Sequence, residues 1–85
     1  MKKIIETTES EGLESLLGEK IMVWCMNYIY HGTLVEVGKQ DIKLSNAKVV
    51  YETGELCSKE IKDAQDLPSN LHIRIAAIES YYVKS

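Results

Sequence analysis

At 85 residues the chain has room for one domain, and a domain of that size buries only about 60–65% of the surface its unfolded chain would expose, so contacts with further copies would add useful stability. Hydrophobic residues at 45% and charged residues at 27% exclude wholesale disorder, and no apolar run approaches the length that spans a bilayer. The net charge of −3 excludes indiscriminate attraction to nucleic acid.

The charge is unevenly spread. Glu6, Glu9, Glu11, Glu14 and Glu19 crowd the start, whereas Lys39, Lys43 and Lys48 meet only Asp41 through the central stretch, with Arg74 beyond. An acidic face and a mildly basic face on one small body are therefore expected. Residues 1–5 pass at once into the polar run from Glu6 to Glu11, which is not the pattern of a signal segment, so a cytoplasmic location is expected. Cys25 and Cys57 are too few and too far apart for a zinc cluster, and a cytoplasmic setting keeps them reduced. His31 and His72 add no ligand spacing, so neither a metal nor another cofactor is expected.

In chain order, Thr8 and Glu11 have capping-box spacing, and Leu13, Leu16 and Leu17 follow at helical intervals before Gly18. This predicts a short amphipathic helix whose leucines cover the open end of a sheet. From Ile21 to Val37 the chain has strand chemistry, with Ile21, Val23 and Cys25 on one face and Met22, Trp24 and Met26 on the other. Two apolar faces suit a tightly curled barrel, which buries one face inside and covers the other. Asn27 and Tyr28 predict a turn, Gly32 a sharp bend, and Gly38 to Asp41 the next turn.

Ile42 and Leu44 open a third strand that runs on to Tyr51, with Thr53 and Gly54 as its stop. The polar stretch from Ser58 to Gln65 has moderate helix propensity and ends at Leu67 and Pro68. Leu71, Ile73 and Ile75 then alternate on odd positions, but Ile78 takes over on an even one. A strand cannot exchange its buried face without a bulge or turn, so two strands, 71–75 and 78–83, joined almost without a loop are expected.

Two segments in this order resemble the signatures of the Sm-like (LSm/Hfq) family. The first runs from Leu13, Leu16, Leu17 and Gly18 through Ile21 and Val23 to Gly32, Leu34, Val37, Gly38, Ile42, Leu44, Asn46 and Ala47; the second is Ile73-Arg74-Ile75 followed by Ile78. The resemblance covers roughly residues 13–50 and 71–83. It implies a mainly β fold, in which a short N-terminal helix precedes a five-stranded, strongly bent antiparallel barrel of the Sm-like (SH3-type) kind. Residues 52–70 would be an inserted segment of a single domain. It further implies a homo-oligomeric ring of about five to seven subunits, in which the last strand, with Tyr81, Tyr82 and Val83, pairs with the next copy.

In that family a slot for one RNA base is built from an Asp, a stacking residue and an Asn before the third strand, together with the Arg of the second signature. The resemblance puts Gly38 at the Asp, Gln40 at or near the stacking position, Asp41 at the Asn and Arg74 on the Arg, with Lys39 beside them for phosphate. Only Arg74 matches in type. An ionised Asp41 accepts hydrogen bonds but cannot donate one, as an amide would. The two readings are a ring that binds single-stranded RNA and a ring-shaped protein scaffold that has lost RNA and uses residues 52–70. Exposed Leu56, Ile61 or Leu67 would be the sign of the second. Tyr28 and Tyr30 could stack bases, with partial burial as the alternative. No catalytic constellation stands out, so no enzyme activity, small-molecule substrate or membrane partner is expected.

Overall fold

The computed structural model describes residues 12–85, and the Thr8–Glu11 capping box lies outside them. The first described element is one 3-10 turn, Leu13–Leu16, where the spacing had suggested an α-helix. The reason lies just after it. The N–H of Gly18 donates to the Leu34 carbonyl (2.8 Å) and the N–H of Leu34 to the Glu19 carbonyl (3.0 Å), so the backbone is captured by a strand before a second helical turn can form. Leu13 and Leu16 still pack against the core, as their spacing predicts, while Leu17 stays exposed.

Six strands follow: β1 (Lys20–Cys25), β2 (Ile29–Val37), β3 (Asp41–Glu52), β4 (Asp63–Asp66), β5 (Leu71–Arg74) and β6 (Ile78–Val83). A 3-10 turn, Ile75–Ala77, joins β5 to β6 and makes the predicted change of face. The pairing runs β4-β3-β2-β1-β6, with β5 also on β3, and every pair is antiparallel. The first half of β3 pairs with β5, the strand expected at 71–75, and the second half with β4, an additional short strand within the stretch expected to be an insertion. The stretch given helix propensity from composition is partly strand, because Val49 and Val50 offer Gln65 and Ala64 a sheet edge that outweighs local preference.

The barrel interior is Ile21, Val23, Leu34, Ile42, Leu44, Ala47 and Ile73. The bend that wraps β3 around it sits at Gly32. Thr33 is opposite Ser45 and His31 opposite Lys48, so Asn46 and Ala47 together face Gly32 in a β-bulge, with Asn46 at φ +50°. A Cβ on Gly32 would lie 3.0 Å from the Ser45 carbonyl oxygen and 3.2 Å from the Ala47 Cα, both backbone atoms that cannot turn aside.

Met22 and Val50 are buried outside this interior cluster, which accounts for the second apolar face of β1. Met22 lies opposite His31 and Tyr82, and these residues share the outer face with Lys84 beyond β6. Lys84 is 6% exposed, and its ammonium donates to the carbonyls of Leu56 (3.2 Å) and Ser58, fastening the 53–62 loop to the barrel. The Lys84 N–H donates to the Lys20 carbonyl (2.8 Å), and its own carbonyl accepts from His31 Nε2 (2.7 Å).

Gly32→Ala should destabilise the fold by about 1–3 kcal/mol by overpacking the bend, read as a lower denaturation midpoint with an unchanged slope. Lys84→Met keeps the aliphatic stem but leaves two carbonyls unpaired, at a cost of about 1–3 kcal/mol. Its signature is faster tryptic cleavage after Lys59 and Lys62 than in the parent protein.

Candidate nucleic-acid interface

Arg74 ends β5 directly opposite Asp41, the first residue of β3. The preceding turn is closed by the Gly38 N–H donating to the Asp41 carbonyl (2.8 Å), and the Ile75 N–H donates to the Gln40 carbonyl (2.8 Å). Two segments more than thirty residues apart in the sequence thus bring Gln40, Asp41 and Arg74 together, and Lys39 sits exposed in the same turn.

Their side chains do not form one slot. Asp41 turns to His72, with Oδ2 3.7 Å from Nδ1, and not to Arg74; both partners are more than half exposed. His72 and Arg74 share the outward face of β5, with Ile73 between them in the core, so Asp41 has both within the same face and its carboxylate lies against the imidazole. Lys43, opposite His72, is held by Glu36 at 3.1 Å. Glu36, Gly38, Asp41, Lys43 and His72 surround a hollow of about 110 Å³, too small to enclose a base. A Cβ on Gly38 would come 3.3 Å from Asp41 Oδ1, so this turn has little space for the larger residue found at that position in the family pattern.

Arg74 lines a different and larger cleft of about 330 Å³, with Tyr28, Tyr30, Met26, Cys25 and His72. The two tyrosine rings lie 6.2 Å apart, tilted by 45°, and Tyr28 and Met26 are exposed. Among the described residues Arg74 has no ion pair and no side-chain hydrogen bond. A cation without a counter-charge beside tilted aromatic rings can take an anionic group and a flat π-surface together. His72 was read in the sequence only as a failed metal ligand, and its two-residue spacing from Arg74 on a strand is the signal that puts them on one face.

Along β6, Tyr81 packs on the interior, the Tyr82 hydroxyl accepts from Trp24 Nε1 (3.2 Å), and Val83 is exposed. β6 pairs with β1 alone and β4 and β5 pair with β3 alone, so two strand edges are unpaired among the described residues. Among those residues no group of three His, Cys, Asp or Glu is arranged to hold a metal, and no helix is long and apolar enough to cross a membrane. Burial, and secondarily the Glu79 carboxylate, pushes the Cys25 thiol up, and burial likewise raises the Tyr30 phenol. Both effects disfavour the Cys25 thiolate, the form that reacts.

No family model matches the sequence, and no curated protein matches it. Among solved structures the fold is similar to that of SmAP1 from P. aerophilum, crystallised as a heptamer, with a TM-score of 0.69 over 93% of this chain and 96% of that one, at 11% identity.

With iodoacetamide at neutral pH, exposed Cys57 should be modified first and Cys25 several-fold more slowly, read by mass spectrometry of the tryptic peptides.

Proposed function

Because the chain has an Sm-like fold, we propose that it forms a homo-oligomeric ring that binds single-stranded RNA at its pore through Arg74 and the Gly38–Asp41 turn. The observation that carries this reading is the cross-strand register, which joins Arg74 to the turn and leaves its guanidinium without a carboxylate partner among the described residues. Lys39 and Gln40 add an exposed cation and amide to the same turn. A ring of about five to seven copies would bring as many arginines around one opening, and that repetition turns a weak single contact into useful affinity.

The ring itself rests on the two unpaired edges. Joining β6 of one copy to the β4 and β5 edge of the next is head-to-tail, and such an interface closes on itself when the rotation permits. Tyr81 and Tyr82 are engaged within their own copy, so β6 would contribute its backbone and the Val83 side chain.

The scaffold reading has one observation in its favour, the exposure of Leu56 within residues 52–70, which we treat as this chain's own insertion. Leu67 packs against the core and Ile61 is half-buried, so the apolar patch that reading needs is reduced to one side chain.

Fluorescence anisotropy with oligo-U and oligo-A at two salt concentrations tests the RNA reading. Arg74→Ala should weaken binding about tenfold, as expected for one charge-assisted contact, and affinity should fall as salt rises. Asp41→Asn should tighten oligo-U in particular, since it restores a donor and removes a negative charge. Absence of binding at low salt, or no effect of Arg74→Ala, overturns the reading.

A further inference from the structure

A second polar constellation lies toward the far end of β3, under the 53–62 loop. Two cavities, of about 470 and 500 Å³, share Lys20, His31 and Lys48 as wall. The first also has Lys59 and Lys62, with Glu60 and Asp63. Across the two cavities four lysines, Lys20, Lys48, Lys59 and Lys62, meet three side-chain carboxylates, Glu60, Asp63 and Asp66, in a chain whose net charge is −3.

Two of those lysines have partners: Lys48 bonds Asp66 at 2.9 Å, and Lys62 lies 3.9 Å from Glu52. Both are exposed pairs of the kind that exchange partners at little cost. Lys20 and Lys59 make no ion pair among the described residues. His31 is the second observation. Its Nε2 meets the Lys84 carbonyl, which can only accept, so Nε2 carries the proton. Its Nδ1 is then a bare acceptor in the neutral ring and a second donor in the cation, and it is buried with no hydrogen-bond partner. A bare ring nitrogen here leaves a buried polar atom unsatisfied in the wall that both cavities share. An anion with several oxygens can pair with the lysines at the mouth, and a turn of the ring toward the cavity would bring Nδ1 to it.

We propose that this outer-face pocket binds a phosphate group, held by Lys20, Lys48 and Lys59 over His31. It is a site separate from Arg74, since Lys48 lies seven residues along β3 from Asp41, roughly 20 Å at strand rise. The cavities have room for the substituent of a phosphate ester as well as for the phosphate. The same chemistry is carried by a small phosphate ester and by a nucleic-acid backbone.

Titration calorimetry of the full chain with inorganic phosphate and with a nucleoside monophosphate, beside oligonucleotide anisotropy, separates the sources. Lys20→Met and Lys59→Met remove surface ammonium groups with no structural bond to lose, and His31→Gln keeps a donor toward the Lys84 carbonyl. Saturable binding of the small phosphates that falls about tenfold or more in Lys20→Met and His31→Gln, and is unchanged in Arg74→Ala, is the expected result. If only the oligonucleotide binds, and Lys20→Met and Lys59→Met weaken it further in an Arg74→Ala background, the phosphate is that of a backbone and the site stands. If the lysine variants change neither measurement, the proposal is overturned, whatever becomes of Arg74.

Discussion

The close approach of Gly32 to the Asn46–Ala47 bulge is the contact on which the rest of the structure depends. It lets one strand, β3, serve two neighbourhoods: its first half pairs with β5 and its second half with β4, while β2 follows it on the other side. Without the bulge a strand of twelve residues would run straight past the core. With it, Ile42, Leu44 and Ala47 all face the same interior, and a small chain encloses seven buried side chains in one cluster. Any side chain at the bend would press on backbone of β3, which would have to give way.

The elements that carried strong periodicity were legible in the sequence, and so was this bend. Strand chemistry in β1 to β3, the glycine at 32, and the phase change between Ile75 and Ile78 each reflect a constraint written in neighbouring residues. What was not legible depended on distant partners. The N-terminal turn stops after Leu16 because Leu34 accepts from the Gly18 N–H and donates to the Glu19 carbonyl, and Asp63–Asp66 is strand because Val49 and Val50 offer an edge. Local propensity contains neither fact. The candidate site divided in the same way: that Asp41 and Arg74 would meet could be anticipated, but the placement of the Asp41 carboxylate against His72 depends on the cross-strand register of β3 and β5, which no local pattern contains.

A buried lysine gives the molecule its second layer. Lys84 links the end of β6, the Lys20 end of β1, His31 on β2 and the loop that leads into β4. Its ammonium has carbonyl partners and no carboxylate, an arrangement that gains less from Coulomb attraction than an ion pair but leaves no acid buried. The end of β6 and the loop that leads into β4 are therefore tied together through one residue. This matters to the proposed ring, because both edges must hold their shape for head-to-tail pairing to repeat with a constant rotation.

Assembly is the claim on which the functional reading turns, since Arg74 gains its significance from repetition around a pore. Native mass spectrometry of the purified chain tests it most directly, with Val83→Pro at an exposed position as the edge-blocking control, since the Lys84 N–H bonds Lys20 on β1 and the Val83 N–H therefore faces the open edge. The account predicts a single closed oligomer at an integral multiple of the chain mass, dispersed to monomer by the proline while the circular-dichroism spectrum remains that of a β fold. A well-folded parent protein that stays monomeric at micromolar concentration would contradict it.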